Sequence, residues 1–220
     1  AAQSLLRSYR LNAGKEIVIA GNGPLNFQLA AELIDNGAKL KGVIEASPNP
    51  FPFKTISLIK SMFYDPNLMI QGSTYLAKLI LNRVPILFKH HVNEVFGKNP
   101  STIKVSPILD GGKLDINKNV EFSADTLCVG YGFLSNDELP RLLGCKYEYK
   151  ETGVSKIICD QYGRTSLNEV FVIGDGAKIG GAQVAEYEGK ITGKIILQDF
   201  KLKKNVSNSL KYTKKILNKK

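Results

Sequence analysis

The sequence predicts an α/β fold with a parallel sheet flanked by helices, and three observations support this prediction. The first is EIVIAG at residues 16–21, a short apolar run that ends in glycine. The second is the spacing of Leu25, Leu29 and Leu33, which places them on one face of a helix. The third is another apolar run, GVIEA, at residues 42–46. Strand, glycine turn, helix and strand in this order form a βαβ unit, so we expect a parallel sheet to begin here.

The other elements are predicted from local patterns in chain order. AAQSLLRSYRLNAGK at the start favours a helix followed by a turn at 12–14. Further predictions, up to residue 132, are a loop at 48–60 with three prolines, a helix at 67–82, a strand within 84–98, paired strands at 101–108 and 119–125 around a turn at 110–112, and a buried strand at 126–132.

The last third of the chain has shorter elements. SNDELPRLLG predicts a short helix with Ser135 or Asn136 as its N-cap. Short strands are then expected around a turn at 162–163, followed by a buried strand at 170–173. A glycine loop and a long helix from about Ala182 complete the prediction.

Composition narrows the possible function classes. The chain has 220 residues, 43% of them hydrophobic, which is enough to bury a core. The sequence contains no run of 18 apolar residues, so we predict no membrane span. The N-terminus lacks the basic, apolar and small-residue order of a signal peptide, so we expect a cytoplasmic protein. Of the net charge of +10, most comes from eight lysines at 201–220, where no acidic residue occurs. The charge therefore indicates a basic tail, and we predict no nucleic-acid partner.

The cysteines and histidines argue against a disulfide framework and a metal site. Cys128, Cys145 and Cys159 are odd in number and form no CxxC pair, so we predict reduced packing residues. His90 and His91 are adjacent and cannot share a helical face, so we predict no metal cluster.

The first βαβ unit carries a candidate nucleotide site. Gly21 permits a tight turn, Gly23 lets a pyrophosphate approach the backbone, and a helix that begins at Pro24 and Leu25 offers its N-terminal N–H groups to that anion. Glu45 ends the second strand, where a carboxylate accepts hydrogen bonds from ribose hydroxyls and repels a 2′-phosphate. The pattern favours NAD or another adenine nucleotide over NADP.

Asn26 departs from this pattern because it stands where a third glycine normally allows close contact between helix and strand. A side chain there must either push the helix away or find a polar partner of its own. The sequence therefore leaves open whether the site is occupied or altered and empty.

A second constellation lies near the C-terminus. GRTSLNEVFVIGDGAKIGGAQVAEYEGK resembles the C-terminal FAD signature of flavoproteins with two dinucleotide-binding domains. The resemblance implies that Asp175 accepts a hydrogen bond from a ribityl or ribose hydroxyl and that Gly174 and Gly176 allow close approach. It also implies that the helix beginning at Ala182 and Gln183 points its N–H groups at the flavin.

A third motif links these two sites. ADTLCVGYGFLSNDEL resembles the strand that returns from the nucleotide domain in the same flavoproteins, with Gly130 and Gly132 in place of the usual Ala-Thr-Gly ending. Nearly the whole chain thus resembles the pyridine-nucleotide-disulfide oxidoreductase type of flavoprotein, most closely the FAD-containing alpha subunits of opine oxidases, proline and hydroxyproline dehydrogenases and hydrogen cyanide synthase. The resemblance implies two Rossmann-like parts. In the sequence itself we recognise no Ser/His/Asp or paired-carboxylate arrangement, so we predict no catalytic acid or base.

This resemblance sets the domain limits and the functional hypotheses. The implied limits are a connecting helix at 1–14, an NAD(P)-type nucleotide domain at 15–133, the C-terminal part of an FAD domain at 134–200 and a basic tail at 201–220. We expect a piece of a longer protein, because such proteins begin with a separate FAD-binding βαβ unit.

The first hypothesis is an FAD-dependent subunit that dehydrogenates the C–N bond of an amino acid or opine beside a beta-type partner subunit. The alternatives are an NADH-dependent flavoprotein reductase and a non-catalytic nucleotide-binding scaffold.

Overall fold

The computed structural model describes residues 1–49, 66–98, 100–149 and 155–199. They form two compact units, one that ends at Gly132 and one that begins at Phe133. The first unit contains, in chain order, α1 (Ala2–Tyr9), β1 (Glu16–Gly21), α2 (Pro24–Asp35), β2 (Lys39–Glu45), α3 (Pro66–Leu81), β3 (Ile86–Phe88), β4 (His90–Phe96), β5 (Thr102–Pro107), β6 (Val120–Ser123) and β7 (Thr126–Gly130). The predicted α/β class is confirmed.

A four-stranded parallel sheet forms the centre of the first unit, with the strand order β3-β2-β1-β7. Because side chains alternate along a strand, β1 presents different residues to its two faces. Ile17 and Ile19 pack with residues of α1, α2 and α3, whereas Val18 and Ala20 pack with residues of β5. Burial on both faces explains why β1 is apolar almost throughout.

The second face is covered by an antiparallel sheet with the order β4-β5-β6. The predicted pairing of the strands around residues 110–112 is confirmed. The single strand predicted within 84–98 is wrong, because the chain turns at Lys89, whose φ of 54° is left-handed. β3 therefore joins the parallel sheet and β4 joins the antiparallel one.

Helix α1 is part of the first unit. Leu6 is buried in the core cluster beneath the helices, and Arg7 forms an ion pair with Glu32 of α2 at 2.6 Å. The predicted helix at 67–82 is confirmed within a residue at each end. The strand predicted at 126–132 forms as β7 but lies at the sheet edge, with Val129 65% exposed, so its predicted full burial is wrong.

The second unit contains α4 (Glu138–Leu142), β8 (Tyr147–Tyr149), β9 (Ser155–Ile157), a 3₁₀ turn (Gly174–Gly176) and α5 (Ala182–Asp199). The long helix predicted from Ala182 is confirmed. The predicted N-cap of the short helix is wrong, because Asp137, and not Ser135 or Asn136, is the N-cap of α4. The Asp137 carboxylate pairs with Arg141 at 2.8 Å.

The strand predicted at 170–173 does not form a ladder. In the part of the chain that the structure describes, Phe171 makes an isolated antiparallel bridge with Arg164, flanked by two backbone hydrogen bonds to the same segment. A longer strand requires a neighbouring strand along its length, and a single bridge does not supply one.

None of the helices within the described ranges is long and apolar enough to cross a membrane. The proline-rich loop expected at 48–60 falls mostly outside the described residues, and the basic tail at 201–220 falls wholly outside them. The domain limits given above stay a prediction.

Candidate nucleotide-binding sites

Three of the predicted site residues end neighbouring strands of the parallel sheet. Gly21 of β1 pairs in register with Glu45 of β2 on one side and with Gly130 of β7 on the other. The carboxyl ends of the strands in a parallel α/β sheet form the edge where ligands bind in such folds. The first βαβ unit and the returning strand therefore contribute to one candidate site.

The turn after β1 leaves the backbone open at the start of α2. Gly23 is the N-cap of α2 and has a φ of 105°, which favours glycine. A Cβ built on Gly23 would meet no atom within 4 Å, so the backbone is open to an approaching group. Pro24 takes the first helical position, where its missing N–H and fixed φ suit a helix start, and the exposed Leu25 follows. The predicted approach of a phosphate to this helix start stays a prediction.

Glu45 is held by the turns on either side of it. Its side chain is only 1% exposed. The N–H of Gly23 donates to Oε2 at 3.0 Å and to Oε1 at 3.3 Å. The N–H and the hydroxyl of Ser47 donate to Oε1 at 3.0 and 2.6 Å. Hydrogen bonds of this kind offset the cost of burying a carboxylate. The predicted contact of Glu45 with ribose stays a prediction, and Ser47 is a contributor that the sequence pattern did not reveal.

The Asn26 side chain has a polar partner in the structure. The side chain is 7% exposed, and its Nδ2 donates to the carbonyl oxygen of Gly130 at 3.0 Å. The N–H of Asn22 donates to the same oxygen at 2.9 Å. A Cβ at either Gly21 or Gly130 would come within 2.5 Å of the Asn26 amide. The space that a third glycine normally provides is thus supplied by glycines on the two neighbouring strands.

An aromatic pair that was not predicted lies at the end of β7. The ring of Tyr131, directly after β7, stacks on His91 of β4, with centroids 4.6 Å apart and an angle of 21° between the rings. Burial raises the pKa of the Tyr131 phenol, and the charge of Glu45 adds to the rise, so the phenol stays protonated near that carboxylate. The sequence signal was an aromatic residue inside the Gly130–Gly132 pair.

The second unit holds the predicted FAD turn. Gly174 has a φ of 57°, and its N–H donates to Oε2 of Glu188 on α5 at 2.7 Å. A Cβ on Gly174 would press on Ala185 at 3.0 Å, and one on Gly176 would lie 3.2 Å from a methyl group of Val172. Both glycines therefore allow the turn to lie close to its neighbours. Glu188 is a further residue that the sequence pattern did not reveal.

Asp175 projects from this turn into solvent. Among the described residues its carboxylate has no hydrogen-bond or ion-pair partner. Ala182 and Gln183 are exposed at the start of α5, whose N-terminal end carries a partial positive charge. An unpartnered carboxylate near a free helix start fits the hydroxyl groups of a flavin nucleotide. The predicted FAD contacts of these residues stay a prediction.

Comparison with known proteins supplies the family. The sequence profile described as "Pyridine nucleotide-disulphide oxidoreductase" matches residues 2–189. Hydrogen cyanide synthase subunit HcnB of Pseudomonas protegens is 29% identical over 182 residues, which are 82% of this chain and 38% of that protein. An opine oxidase subunit of Agrobacterium tumefaciens is 26% identical over 204 residues, which are 92% of this chain and 39% of that protein. The chain therefore spans well under half the length of these relatives.

The solved structures agree in fold. The crystal structure of T. acidophilum thioredoxin reductase matches with a TM-score of 0.53 at 18% identity, over 88% of this chain and 54% of that one. At this identity the match shows the fold alone. The predicted resemblance, enzyme class and cofactor class are confirmed at the level of the family. The chain belongs to the pyridine nucleotide-disulphide oxidoreductase family, whose members are flavin-dependent oxidoreductases that bind FAD and NAD(P).

Proposed function

We propose that the whole protein is an FAD-dependent oxidoreductase subunit that dehydrogenates the C–N bond of an amino acid or opine. The observation that carries the flavin part is Asp175, an exposed carboxylate without a protein partner among the described residues at the predicted FAD turn. The substrate class is supported by the names of two relatives, hydrogen cyanide synthase and opine oxidase. Both relatives are named as subunits, which supports a beta-type partner subunit for this protein.

The residues of this chain have binding and positioning roles in the proposal. Asp175 accepts a hydrogen bond from a ribityl or ribose hydroxyl, and the first turn of α5 offers N–H groups to the flavin. FAD, when bound, accepts the hydride that leaves the substrate carbon. The N–H group of Gly174 is held by Glu188, which fixes the turn from which Asp175 projects.

The nucleotide site in the first unit takes an adenine nucleotide in the proposal. Gly21 and Gly23 let the phosphate approach, and Glu45 accepts a hydrogen bond from the ribose. A buried carboxylate repels a 2′-phosphate, so NADH is favoured over NADPH.

Thiol chemistry is disfavoured at two of the three cysteines of this chain. Cys128, Cys145 and Cys159 are all free thiols. Burial raises the pKa of Cys128 and of Cys159, which lowers the thiolate fraction on which thiol reactivity depends. Thiol–disulfide exchange at Cys128 or Cys159 is therefore disfavoured.

The test uses the complete gene product that contains this chain, purified from its own cells by an affinity tag so that bound partner proteins are retained. Visible flavin absorbance is recorded anaerobically before and after addition of an opine, of proline or of NADH. Bleaching by the opine or by proline, but not by NADH, supports the proposal. A preparation without flavin absorbance overturns it.

A second candidate, an NADH-dependent flavoprotein reductase, is favoured by the position of Glu45 beside the open Gly23 turn. Stoichiometric bleaching by NADH would establish it. Asp175→Ala provides a further check of the flavin site, with Asp110→Ala as the control because Asp110 is also an exposed turn aspartate. We expect only the first variant to lose bound FAD.

A further inference from the structure

The turn at Gly174–Gly176 and the start of α5 are separate parts of the proposed flavin site, with residues 177–181 between them. In the proposed function, Asp175 of the turn and the first N–H groups of α5 contact the same nucleotide. Their relative position therefore decides whether both can bind one ligand at once.

A side chain of α5 joins these two parts. Oε2 of Glu188 accepts the N–H of Gly174 at 2.7 Å. Among the hydrogen bonds of the described residues, this is the one that links the turn to α5. Gly174 is buried, so its N–H requires an acceptor from the protein or from a trapped water. Glu188 supplies that acceptor from the helix.

Gly174 is also held by the backbone that follows it. Its carbonyl oxygen accepts the N–H groups of Ala177 and Lys178 at 2.9 and 2.8 Å. On the helix side, a Cβ at Gly174 would lie only 3.0 Å from the Ala185 side chain, so the turn packs directly against α5. The backbone bonds shape the turn, and the Glu188 bond sets its place against the helix.

The surroundings of Glu188 separate its effect on position from its effect on stability. A cavity of about 250 Å³ lies beside it, with walls that include Gly163, Ile173 and Thr192. Water has room there to reach the Gly174 N–H when the carboxylate is removed. A water molecule satisfies the N–H but is not attached to α5. Loss of Glu188 therefore affects the place of the turn more than the stability of the fold.

We infer that Glu188 is a positioning residue for FAD, which holds the turn that carries Asp175 in a fixed place against the start of α5 and sets FAD affinity through Gly174. The inference rests on the flavin site of the proposed function and adds a residue outside the two binding elements. A turn that is already in place loses less conformational freedom when it binds a ligand, which favours binding.

The test measures the dissociation constant for FAD of the complete gene product, by removing FAD and titrating it back while flavin fluorescence is recorded. Glu188→Ala should bind FAD at least about tenfold more weakly, because the bond to the turn is lost. Glu188→Gln keeps an oxygen acceptor at the same reach and should stay within about threefold of the wild type. Glu188→Asp keeps the charge but is one methylene shorter, so it should weaken FAD binding as Glu188→Ala does.

Thr192→Val is the matched control. Thr192 lies one helical turn after Glu188 and is 4% exposed, and its hydroxyl donates to the carbonyl oxygen of Tyr162 at 2.8 Å. The variant removes a bond between α5 and a neighbouring loop but leaves the Gly174 turn attached. It should lower the melting temperature of the protein without FAD and keep FAD affinity within about twofold of the wild type.

The outcomes distinguish this inference from the flavin site itself. If the wild type binds no FAD, the flavin site and the inference are both overturned. If the wild type binds FAD and Glu188→Ala binds it equally well, the role of Glu188 is overturned and the flavin site stands. Equal weakening in Glu188→Ala and Thr192→Val, or in Glu188→Ala and Glu188→Gln, also overturns that role.

Circular dichroism checks that each variant is folded. If Glu188→Ala does not fold, the comparison of Glu188→Gln with Glu188→Asp decides. Tight FAD binding by the Gln variant with weak binding by the Asp variant supports the inference, and any other order overturns it.

Discussion

The Asn26 amide offers a sharp test of how this chain compensates for the missing third glycine. Asn26→Ala removes one hydrogen bond to the carbonyl oxygen of Gly130. That oxygen keeps its bond from the N–H of Asn22 at 2.9 Å, so no buried acceptor is left without a partner. The expected loss in the free energy of unfolding is about 1 kcal/mol, which is typical of one neutral hydrogen bond.

Asn26→Asp has nearly the same shape and the opposite hydrogen-bonding role. A carboxylate oxygen would replace Nδ2 and face the Gly130 carbonyl oxygen across 3.0 Å, at a side chain that is 7% exposed. Two acceptors then repel each other, and a buried charge lacks a partner. We expect a loss of about 3 kcal/mol or more.

Urea unfolding of the 220-residue chain, followed by far-ultraviolet circular dichroism, measures both losses. Asn168→Asp is the control for the added charge, because Asn168 is exposed in the second unit and should change stability by less than about 0.5 kcal/mol. Equal stability of the Ala and Asp variants at position 26 would refute the reasoning, since the carbonyl contact would then contribute nothing.

Three other predictions use the same chain. Gly21→Ala places a Cβ 2.1 Å from the carbonyl oxygen of Gly130 and forces β1 and β7 apart, so we expect a loss of about 3 kcal/mol or more in urea unfolding; a loss under about 1 kcal/mol would contradict the close approach. Glu45→Gln removes the negative charge that repels a 2′-phosphate, so calorimetry should show a reduced preference for NADH over NADPH, and an unchanged preference would argue against this role. Asp125 accepts two N–H bonds at the start of β1, which lower its pKa, so its stabilising effect is full above the unfolded value of about 3.9 and is lost as the pH falls through the lower folded value. Asp125→Asn should therefore flatten the fall of the melting temperature in acid, and parallel profiles for variant and wild type would count against the prediction.

The parts of the fold that the sequence predicts are those with local signals. The first strand, helix and second strand follow from a buried apolar run, a helical repeat and glycines at the turns. The break at Lys89 has no such signal, because lysine does not favour a left-handed φ, and the break is set by the different sheets that β3 and β4 join. The extent of pairing at 170–173 likewise depends on neighbours that are distant in sequence.

In the candidate site too, the contacts within a local motif could be predicted, and the contacts between distant residues could not. Gly23 and Glu45 lie in a local motif, and the structure places them in contact. The bond from Asn26 to Gly130 spans 104 residues, and the stack of His91 on Tyr131 joins β4 to the residue that follows β7. No local sequence pattern predicts contacts between residues so far apart. The sequence therefore predicts that Asn26 needs a polar partner, but it does not identify that partner as Gly130.

The neighbours of Gly130 show how one residue choice constrains another across the sheet. The three atoms nearest to a Cβ at Gly130 all belong to the Asn26 side chain. Glycine is required at the end of β7 because asparagine, and not glycine, occupies the first turn of α2. With glycine at 26, alanine at 130 would be relieved of all three of these contacts. Close contact between α2 and the strands requires small residues on one side. In this chain the small residues lie on the strands, and the helix carries asparagine.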